Sequence, residues 1–391
     1  LLTVSLILGC AQAPQKPEAE AKKPIKIGAP IPLTGPGSFT GLEMKRGMLL
    51  AIKEINAKGG VLGRPIEIVF EDTKTNPDAA KSAVKRLVEI ENVDYLAGIM
   101  SSSVFAGVTP DLKKYKKITF ILGAAYSGFE EQFKDEDWFF HVHPYDYHNS
   151  QVWLNFLKSI GVKNMIVFYE SGVFGTGSIK GLQNLFPQNG IEIQAAYAFT
   201  TGSGDFRSII TKAKQVNPNP DCLMWIGYEV DALPIVLQLK ELDYNPKVVA
   251  GTPPSWSKEF MNAPESEYVI GIAYWNPLVP TKENKEFLEK YVKEYGEEPK
   301  NYFAPLAYAT IMSLAKAIEL AGTFDEKEVI KALEKVEIDT PMGKLKYSPA
   351  KIIKHQGFDE KAGIGFQWRG GKQVPVWPPE KAIQQIVYPV P

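Results

Sequence analysis

The chain has 391 residues and a formal net charge of −1, so it is long enough for two well-packed lobes and has no excess of either charge. This balance argues against nucleic acid as a partner, which normally needs a strong basic excess, and no basic run indicates an electrostatic membrane patch. The two cysteines, Cys10 and Cys222, do not make a disulfide framework. Cys222 lies in the apolar run DCLMWIG and is expected to be a small buried hydrophobe.

The first ten residues are typical of an export signal. Residues 1–9 are apolar and too short to span a bilayer. The sequence ILG before Cys10 is similar to a lipobox, in which the cysteine is lipidated and becomes the new N-terminus. A conventional cleaved signal is the alternative, because AQA at 11–13 places small residues at a cleavage spacing. Both interpretations predict an exported protein.

Residues 11–24 are expected to be a flexible tether. They contain three prolines, charges of both signs and almost no large apolar side chain, so they cannot bury enough surface to fold. A lipid on Cys10 followed by this tether would hold a folded domain at a membrane surface without inserting it. No later run approaches the length of a membrane-spanning helix.

From Ile25 onward, apolar runs alternate with segments of helical periodicity. The first series has predicted strands at 25–32, 66–72, 95–100 and 118–122, and predicted helices at 41–57, 77–90 and 104–115. Such a βα repeat predicts a parallel sheet with helices on both faces.

The pattern restarts after FFHVHPYDYHNS at 139–150. Predicted strands follow at 165–170, 191–199, 222–227, 247–251 and 268–277, with a glycine-rich loop at 171–177 and helices at 151–160, 205–214, 231–242, 282–295, 302–321 and 325–336. A hairpin is expected at 363–377. Two such series predict an α/β protein with two doubly wound, Rossmann-like lobes, and ligands of such sheets bind beyond the carboxyl ends of the strands.

Several motifs in this order resemble one known family. They are LTGPG at 33–37, INAKGGVLGRPIE at 55–67, EDTKTNP at 71–77, FGTG at 174–177, GSGDFRSIITKAK at 202–214 and PEKAIQQIVYPVP at 379–391. Together they make residues 25–391 similar to the type I periplasmic substrate-binding proteins of ABC importers, in particular the leucine/isoleucine/valine-binding group.

The resemblance implies a three-strand hinge, with chain crossings near Pro144, Pro277 and Gly363. One lobe would then comprise 25–143 and 278–362, and the other 144–277 and 363–391. Ligand would close the two lobes about this hinge.

The resemblance also places the ligand's carboxylate on Ser101, with Ser102 as a helper. The SSS triplet at 101–103 lies where a predicted strand ends and a helix begins, and hydroxyls with free amides at a helix start attract anions. A capping role for one of the serines is the other interpretation, and both can hold at once.

The remaining binding positions carried over from the family are Ala124 through its backbone, Tyr126 through its side chain, and Thr40, Phe174 and Tyr228 as cleft walls. Tyr126 departs from the small hydroxyl residue that is common in the family. Phe174 and Tyr228 could instead be ordinary core residues, but both follow predicted strands in loops, where binding residues are frequent.

The family's acidic partner for a ligand ammonium is absent from GTPPSW at 251–256. A buried ammonium without a counter-charge costs several kcal/mol, on the order of a broken buried ion pair. Either Glu229 or Asp231 substitutes, or the ligand has no ammonium. In the second case Trp256, Tyr228, Tyr126 and Phe105 would suit an aromatic acid. Both options stay open.

Enzyme chemistry has little support. GPGSFTG at 35–41 has the wrong glycine spacing for a dinucleotide loop. His141, His143 and His148 lack a further ligand pair for a metal, and no nucleophile elbow, P-loop or HExxH helix occurs. We therefore predict neither catalysis, nor a cofactor, nor a metal. A receptor domain for signalling has the same fold but would need a partner protein.

The sequence thus predicts a monomeric, extracytoplasmic solute-binding protein. It would capture a small carboxylated ligand, either a branched-chain or other hydrophobic amino acid or an aromatic acid, and deliver it to an ABC permease. Its contact with the membrane would be through the lipid anchor only.

Overall fold

The computed structural model describes residues 23–252, 256–348 and 355–391, and in this part of the chain the strands form sheets of five, seven and two strands. The predictions for the lipidated Cys10 and for most of the tether lie outside the described residues. The two large sheets confirm the predicted α/β class with two lobes.

The five-stranded sheet is wholly parallel and has the order β2-β1-β3-β4-β5. Its strands are β1 (Ile25–Ile31), β2 (Ile66–Asp72), β3 (Tyr95–Gly98), β4 (Thr119–Ile121) and β5 (Phe139–His141). The strand order reverses between β1 and β3, which is where such sheets open a crevice beyond their carboxyl ends. We call this sheet and its helices the first lobe.

The seven-stranded sheet has the order β14-β13-β10-β9-β8-β6-β7 and organises the second lobe. Its strands are β6 (Asn164–Glu170), β7 (Glu192–Phe199), β8 (Cys222–Ile226), β9 (Val249–Gly251), β10 (Ile270–Ala273), β13 (Ile364–Arg369) and β14 (Lys372–Trp377). The predicted C-terminal hairpin, β13–β14, extends the sheet at an antiparallel edge. A separate hairpin pairs β11 (Glu337–Thr340) with β12 (Gly343–Lys346).

The helices cover the sheets. They are α1 (Ser38–Ala57), α2 (Pro77–Lys85), α3 (Ser102–Tyr115), α4 (Gly128–Phe133), α5 (Asp146–Ser159), α6 (Val173–Leu185), α7 (Arg207–Val216), α8 (Glu229–Glu241), α9 (Lys258–Asn262), α10 (Lys282–Tyr295), α11 (Phe303–Ala321) and α12 (Glu326–Leu333).

Local chemistry explains where helices begin. Pro77 occupies the first position of α2, where its missing N–H costs nothing, and the Asn76 side chain accepts from the amides of Asp78 and Ala79. The helix predicted at 77–90 is therefore present, but its last turn, Arg86–Ile90, is a π-helix.

The alternation along β8 builds the core of the second lobe. Leu223 and Trp225 pack into the cluster on one face of the sheet, whereas Cys222, Met224 and Ile226 pack into the cluster on the other face. Cys222 is the buried hydrophobe that was predicted.

Several elements differ from the sequence prediction. Helix α5 begins at Asp146 rather than at 151, because the His148 side chain accepts from the Tyr145 amide and satisfies a free N–H at the helix start. Helices α4 and α9 and the β11–β12 hairpin were not predicted, because these elements are too short to show a clear period.

The expectation that no run reaches the length of a membrane-spanning helix was wrong: among the described helices, α11 is long and apolar enough to cross a membrane, but 78% of its apolar window is buried inside the protein. It packs along α1, where Gly47 lies against the backbone of Ala304. The apolar character of α11 is therefore that of a core helix.

Substitution of Gly47 by alanine tests this close approach. A Cβ atom there would overlap the carbonyl oxygen of Ala304, and backbone cannot yield as a flexible side chain can. We expect Gly47→Ala to destabilise the first lobe by about 1–3 kcal/mol in urea denaturation followed by circular dichroism. The control is Gly181→Ala in α6, where the nearest group is the Ser150 hydroxyl. Equal stability of the two variants would contradict the packing.

Candidate ligand-binding site

A cavity lies between the lobes, at the carboxyl ends of β3 and β4 on one side and of β8 on the other. Its apolar lining consists mainly of Met100, Trp153, Phe174, Leu182, Met224, Ile226, Tyr228, Ile272, Tyr274, Tyr302 and Phe303. The polar lining consists of Ser102, His143, Asp146, Asn149, Ser150, Ser178 and Thr252. Of the residues that the structure describes, no lysine or arginine lines the cavity, so an anion there must be held by hydroxyls, amides and dipoles.

Of the serine triplet at the start of α3, Ser102 lines this cavity, whereas Ser101 and Ser103 do not. Ser101 has extended backbone before the helix, but within the described chain its side chain makes no capping bond. Its Oγ lies instead 3.0 Å from the Tyr228 hydroxyl in the second lobe. The Ser102 hydroxyl accepts from the Tyr126 amide at 3.3 Å. The capping interpretation therefore does not describe the Ser101 side chain, which bridges the cleft.

Ala124 lines the cavity with a backbone φ of 53°, in the left-handed region that is strained for a residue with a Cβ. Its N–H donates to the Met100 carbonyl, and its own carbonyl lies 3.3 Å from His141 Nε2. The amide is thus already engaged inside the first lobe, and the carbonyl keeps one lone pair for a ligand.

Phe174 and Tyr228 form the wall contributed by the second lobe. Their rings meet edge to face, with centroids 6.1 Å apart. Tyr228 is buried and packs with the core of the first lobe although it follows β8. Burial raises the pKa of the Tyr228 hydroxyl well above its usual value, so the group stays a neutral donor.

Thr40 and Tyr126 are near the cleft but are not part of the cavity lining. Thr40 is fully buried, and its N–H donates to Glu229 Oε1 at 3.4 Å across the cleft. Tyr126 instead lines a groove outside the cavity, where its ring lies against Gly177 and meets Phe129 edge to face. Neither Phe105 nor Trp256 lines the cavity, because each packs into an aromatic core cluster of its own lobe.

Sequence reasoning missed the polar groups near the hinge. The Tyr274 hydroxyl donates to Asn149 Oδ1, and the Tyr302 hydroxyl lies 2.9 Å from His143 Nε2. Trp153 lies one helical turn after Asn149 on the same face of α5. The spacing of Asn149 and Trp153, after a segment dense in histidine and aromatic residues, is the signal that could have indicated them.

The acids after β8 differ in how they are satisfied. Asp231 accepts from the amides of Gly202 and Tyr228 at 2.8 and 3.0 Å and so fixes the backbone before α8. Glu229 Oε1 accepts from Thr40, but Oε2 has no partner in the described part of the chain. Burial raises the pKa of Glu229 to about 7 and that of Asp231 to about 6.

The segment at 251–256 contributes Thr252 to the cavity, and residues 253–255 lie outside the described chain. Asp146 is the carboxylate among the lining residues, and its Oδ2 accepts from the Ser127 amide at 3.3 Å. Burial raises its pKa above the usual value. Across the described residues, no group of three histidine, cysteine or acidic side chains is placed to hold a metal ion.

Two α/β lobes with a cavity between their strand ends define a binding protein of the kind that closes around a small ligand. A family model described as periplasmic binding protein matches residues 24–362, and the chain belongs to this family.

Relatives and solved structures agree with this assignment. Leu/Ile/Val-binding protein homolog 7 from Brucella abortus (strain 2308) is 27% identical, over 98% of this chain and 99% of its own. The branched-chain amino acid transporter substrate-binding protein LivJ from Streptococcus pneumoniae, solved with isoleucine, is 24% identical with a TM-score of 0.80, covering 90% of this chain and 98% of its own.

A further solved structure shows the same fold with another kind of ligand. A solute-binding protein of an ABC transporter from R. palustris, in complex with benzoate, has a TM-score of 0.79 at 18% identity, covering 90% of this chain and 95% of its own. The comparisons confirm the predicted family. The chain is a type I periplasmic binding protein, a substrate-binding protein and not an enzyme, similar over nearly its whole length to Leu/Ile/Val-binding proteins, and its family implies an extracytoplasmic location.

The substitution Glu229→Gln tests how much the burial of the Glu229 carboxylate costs in folding stability. The folded-state pKa of about 7 lies above the usual 4.5, so the folded protein keeps a proton that the unfolded chain has lost, and stability falls as pH rises through this window. Glu229→Gln keeps an oxygen for the Thr40 amide. We expect it to gain up to about 3 kcal/mol on the wild type between about pH 4.5 and 8.

Urea denaturation at a series of pH values measures this gain. Glu259→Gln, at an exposed position of α9, provides the baseline for removing a carboxylate. A difference between wild type and Glu229→Gln that does not change with pH would show that Glu229 is not ionised at a cost in the folded state.

Proposed function

We propose that the protein captures a small carboxylate with an apolar body in the interlobe cavity and delivers it to an ABC permease. The observation that carries the proposal is the composition of the cavity wall. Aromatic and aliphatic side chains surround a polar corner at the start of α3, and none of the described lining residues is a lysine or arginine. An apolar ligand with one anionic group fits this combination.

The polar corner suits a carboxylate because it offers hydrogen-bond donors and the positive end of a helix dipole. The first turn of α3 leaves backbone N–H groups without side-chain caps in the described structure, and the helix dipole favours a negative charge at that end. Ser102 and Tyr228 line the cavity, and the Tyr228 hydroxyl is bonded to that of Ser101. Ser101 and Ser102 would receive the anion, whereas the Ala124 backbone has no free donor for it, because its N–H already donates to the Met100 carbonyl.

We favour an aromatic carboxylate as the ligand. The lining is rich in aromatic rings. No described acid lines the cavity where the family places its ammonium partner: that segment contributes Thr252, and Glu229 does not line the cavity. The R. palustris relative that holds benzoate shows that the fold accepts such a ligand.

A hydrophobic amino acid is the second candidate, and Asp146 favours it. This carboxylate lines the cavity and accepts one backbone amide, so it could also face an ammonium. The relatives named for leucine, isoleucine and valine support this candidate as well.

We propose that the lobes meet at crossings near Pro144, Pro277 and Gly363. The proposal is supported by the strands, since β1–β5 precede the first crossing, β6–β10 lie between the first two and β13–β14 follow the third. We also propose that Cys10 is lipidated, that residues 11–24 form a tether and that the protein is a monomer. The lipid and the tether would hold the binding domain beside its permease.

A ligand screen tests the function. Isothermal titration calorimetry of the purified protein against benzoate, phenylalanine, leucine and isoleucine is expected to give saturable binding with no turnover, strongest for the aromatic acid. Ser101→Ala and Ser102→Ala should each weaken binding about tenfold, the value of a hydrogen bond to a charged group. Ser159→Ala, whose hydroxyl bonds Phe156 in α5, is the matched control. Unchanged affinity in both Ser101→Ala and Ser102→Ala would refute the anion site.

Lobe closure gives an independent test. Solution scattering is expected to show a smaller radius of gyration at ligand saturation than in ligand-free protein, because ligand shifts the population toward the closed arrangement. The same titration with the Ser102→Ala variant should need correspondingly more ligand. An unchanged radius at saturation would contradict closure.

A further inference from the structure

The indole of Trp153 is a buried donor that the carboxylate site does not use. Trp153 is 1% exposed and lines the cavity. Its Nε1–H has no acceptor anywhere in the described residues. A buried donor without a partner costs about 1–3 kcal/mol, so an acceptor brought into the cavity by a ligand would recover that free energy.

Lack of a partner alone does not make a site, as two other tryptophans show. Trp225 and Trp368 also have buried indole N–H groups without partners in the described chain, but neither lines the cavity and both pack in the core of the second lobe. Trp153 also packs in a core cluster of that lobe, but unlike the other two it lines the cavity, where a ligand can reach it.

A second donor lies beside it. Asn149 precedes Trp153 by four residues, so the two side chains share one face of α5, and both line the cavity. The Tyr274 hydroxyl donates to Asn149 Oδ1, which fixes the orientation of the amide and leaves its NH2 group as a donor. Trp153 and Asn149 therefore form a pair of donors on the second lobe, apart from the serines on the first.

We propose that Trp153 and Asn149 form a second polar subsite that binds a hydroxyl oxygen on the apolar body of the ligand. The inference rests on the proposed function and specifies the substrate class, a hydroxylated apolar carboxylate such as a phenolic acid. A second carboxylate is disfavoured, because the described lining contains Asp146 and no cation, and burying another unpaired charge costs far more than a hydrogen bond returns.

Matched ligand pairs and Trp153→Phe test this subsite. The pairs are benzoate with 4-hydroxybenzoate and phenylalanine with tyrosine, which differ only by the hydroxyl. Calorimetry is expected to show that the wild type binds the hydroxylated member of at least one pair more tightly. In that pair Trp153→Phe should lose about five- to tenfold in affinity for the hydroxylated member and less than about twofold for the other, because an aromatic ring stays in the wall, its smaller size affects both members alike, and only the hydroxylated member loses a hydrogen bond.

The control is Trp368→Phe, which removes an unpaired indole outside the cavity and should leave the selectivity within each pair unchanged. Asn149→Leu, at a half-buried position, removes the second donor and gives an independent result if Trp153→Phe does not fold by circular dichroism. Equal losses for both members of each pair, or no loss in either variant, would overturn the subsite while leaving the proposed function intact. Failure of the wild type to bind any of the four ligands would refute the proposed function, and the subsite with it.

Discussion

The hydrogen bond between Ser101 and Tyr228 joins the strand ends of the two lobes at the cavity. Its partners come from helix starts that follow β3 and β8, so it forms only when the two sheets present their carboxyl ends to each other. Such a bond contributes only about 1 kcal/mol, and the neighbouring bonds from Thr40 to Glu229 and from Val173 to Ser103 are long, at 3.4 and 3.3 Å. Contacts of this strength leave the lobes close to balance, and a ligand with modest differential affinity can then shift the population.

Three acidic side chains lie around Tyr228 at the cleft. Asp231 fixes its backbone, Glu229 follows it and reaches Thr40 in the other lobe, and Glu170 adds a third carboxylate that accepts from the amides of Gly172 and Gly175. These acids are buried, and none forms an ion pair in the described structure. This supports the proposal that an arriving carboxylate would be received on the first lobe, by α3, where dipoles and hydroxyls rather than acids would face it.

The sequence predicted the architecture well because regular periods carry it, as in β8, whose continuous apolar run is buried on both faces. It failed where the signal was short or polar, as in α4 and α9 and at the start of α5. Ser102, Ala124, Phe174 and Tyr228 could be placed near the cleft because they follow strands. Tyr126 could not be placed, because its backbone meets the cavity side through Ser102 while its ring turns to the outer groove. Asn149 and Trp153 lie on α5, which reaches the cavity only through the tertiary packing of the chain.

Helix α5 therefore has a particular position in the binding cycle. It begins at Asp146, between the last strand of the first sheet and the first strand of the second, and packs within the second lobe, whereas the serines at α3 belong to the first. A ligand held only by its carboxylate contacts the polar groups of one lobe and gains from closure only through apolar burial. A ligand whose second oxygen reaches Trp153 and Asn149 hydrogen-bonds both lobes at once, so its full affinity is available only in the closed arrangement. Since a ligand shifts an equilibrium only by its differential affinity for the two states, the α5 donors would make closure itself the step that discriminates among apolar carboxylates.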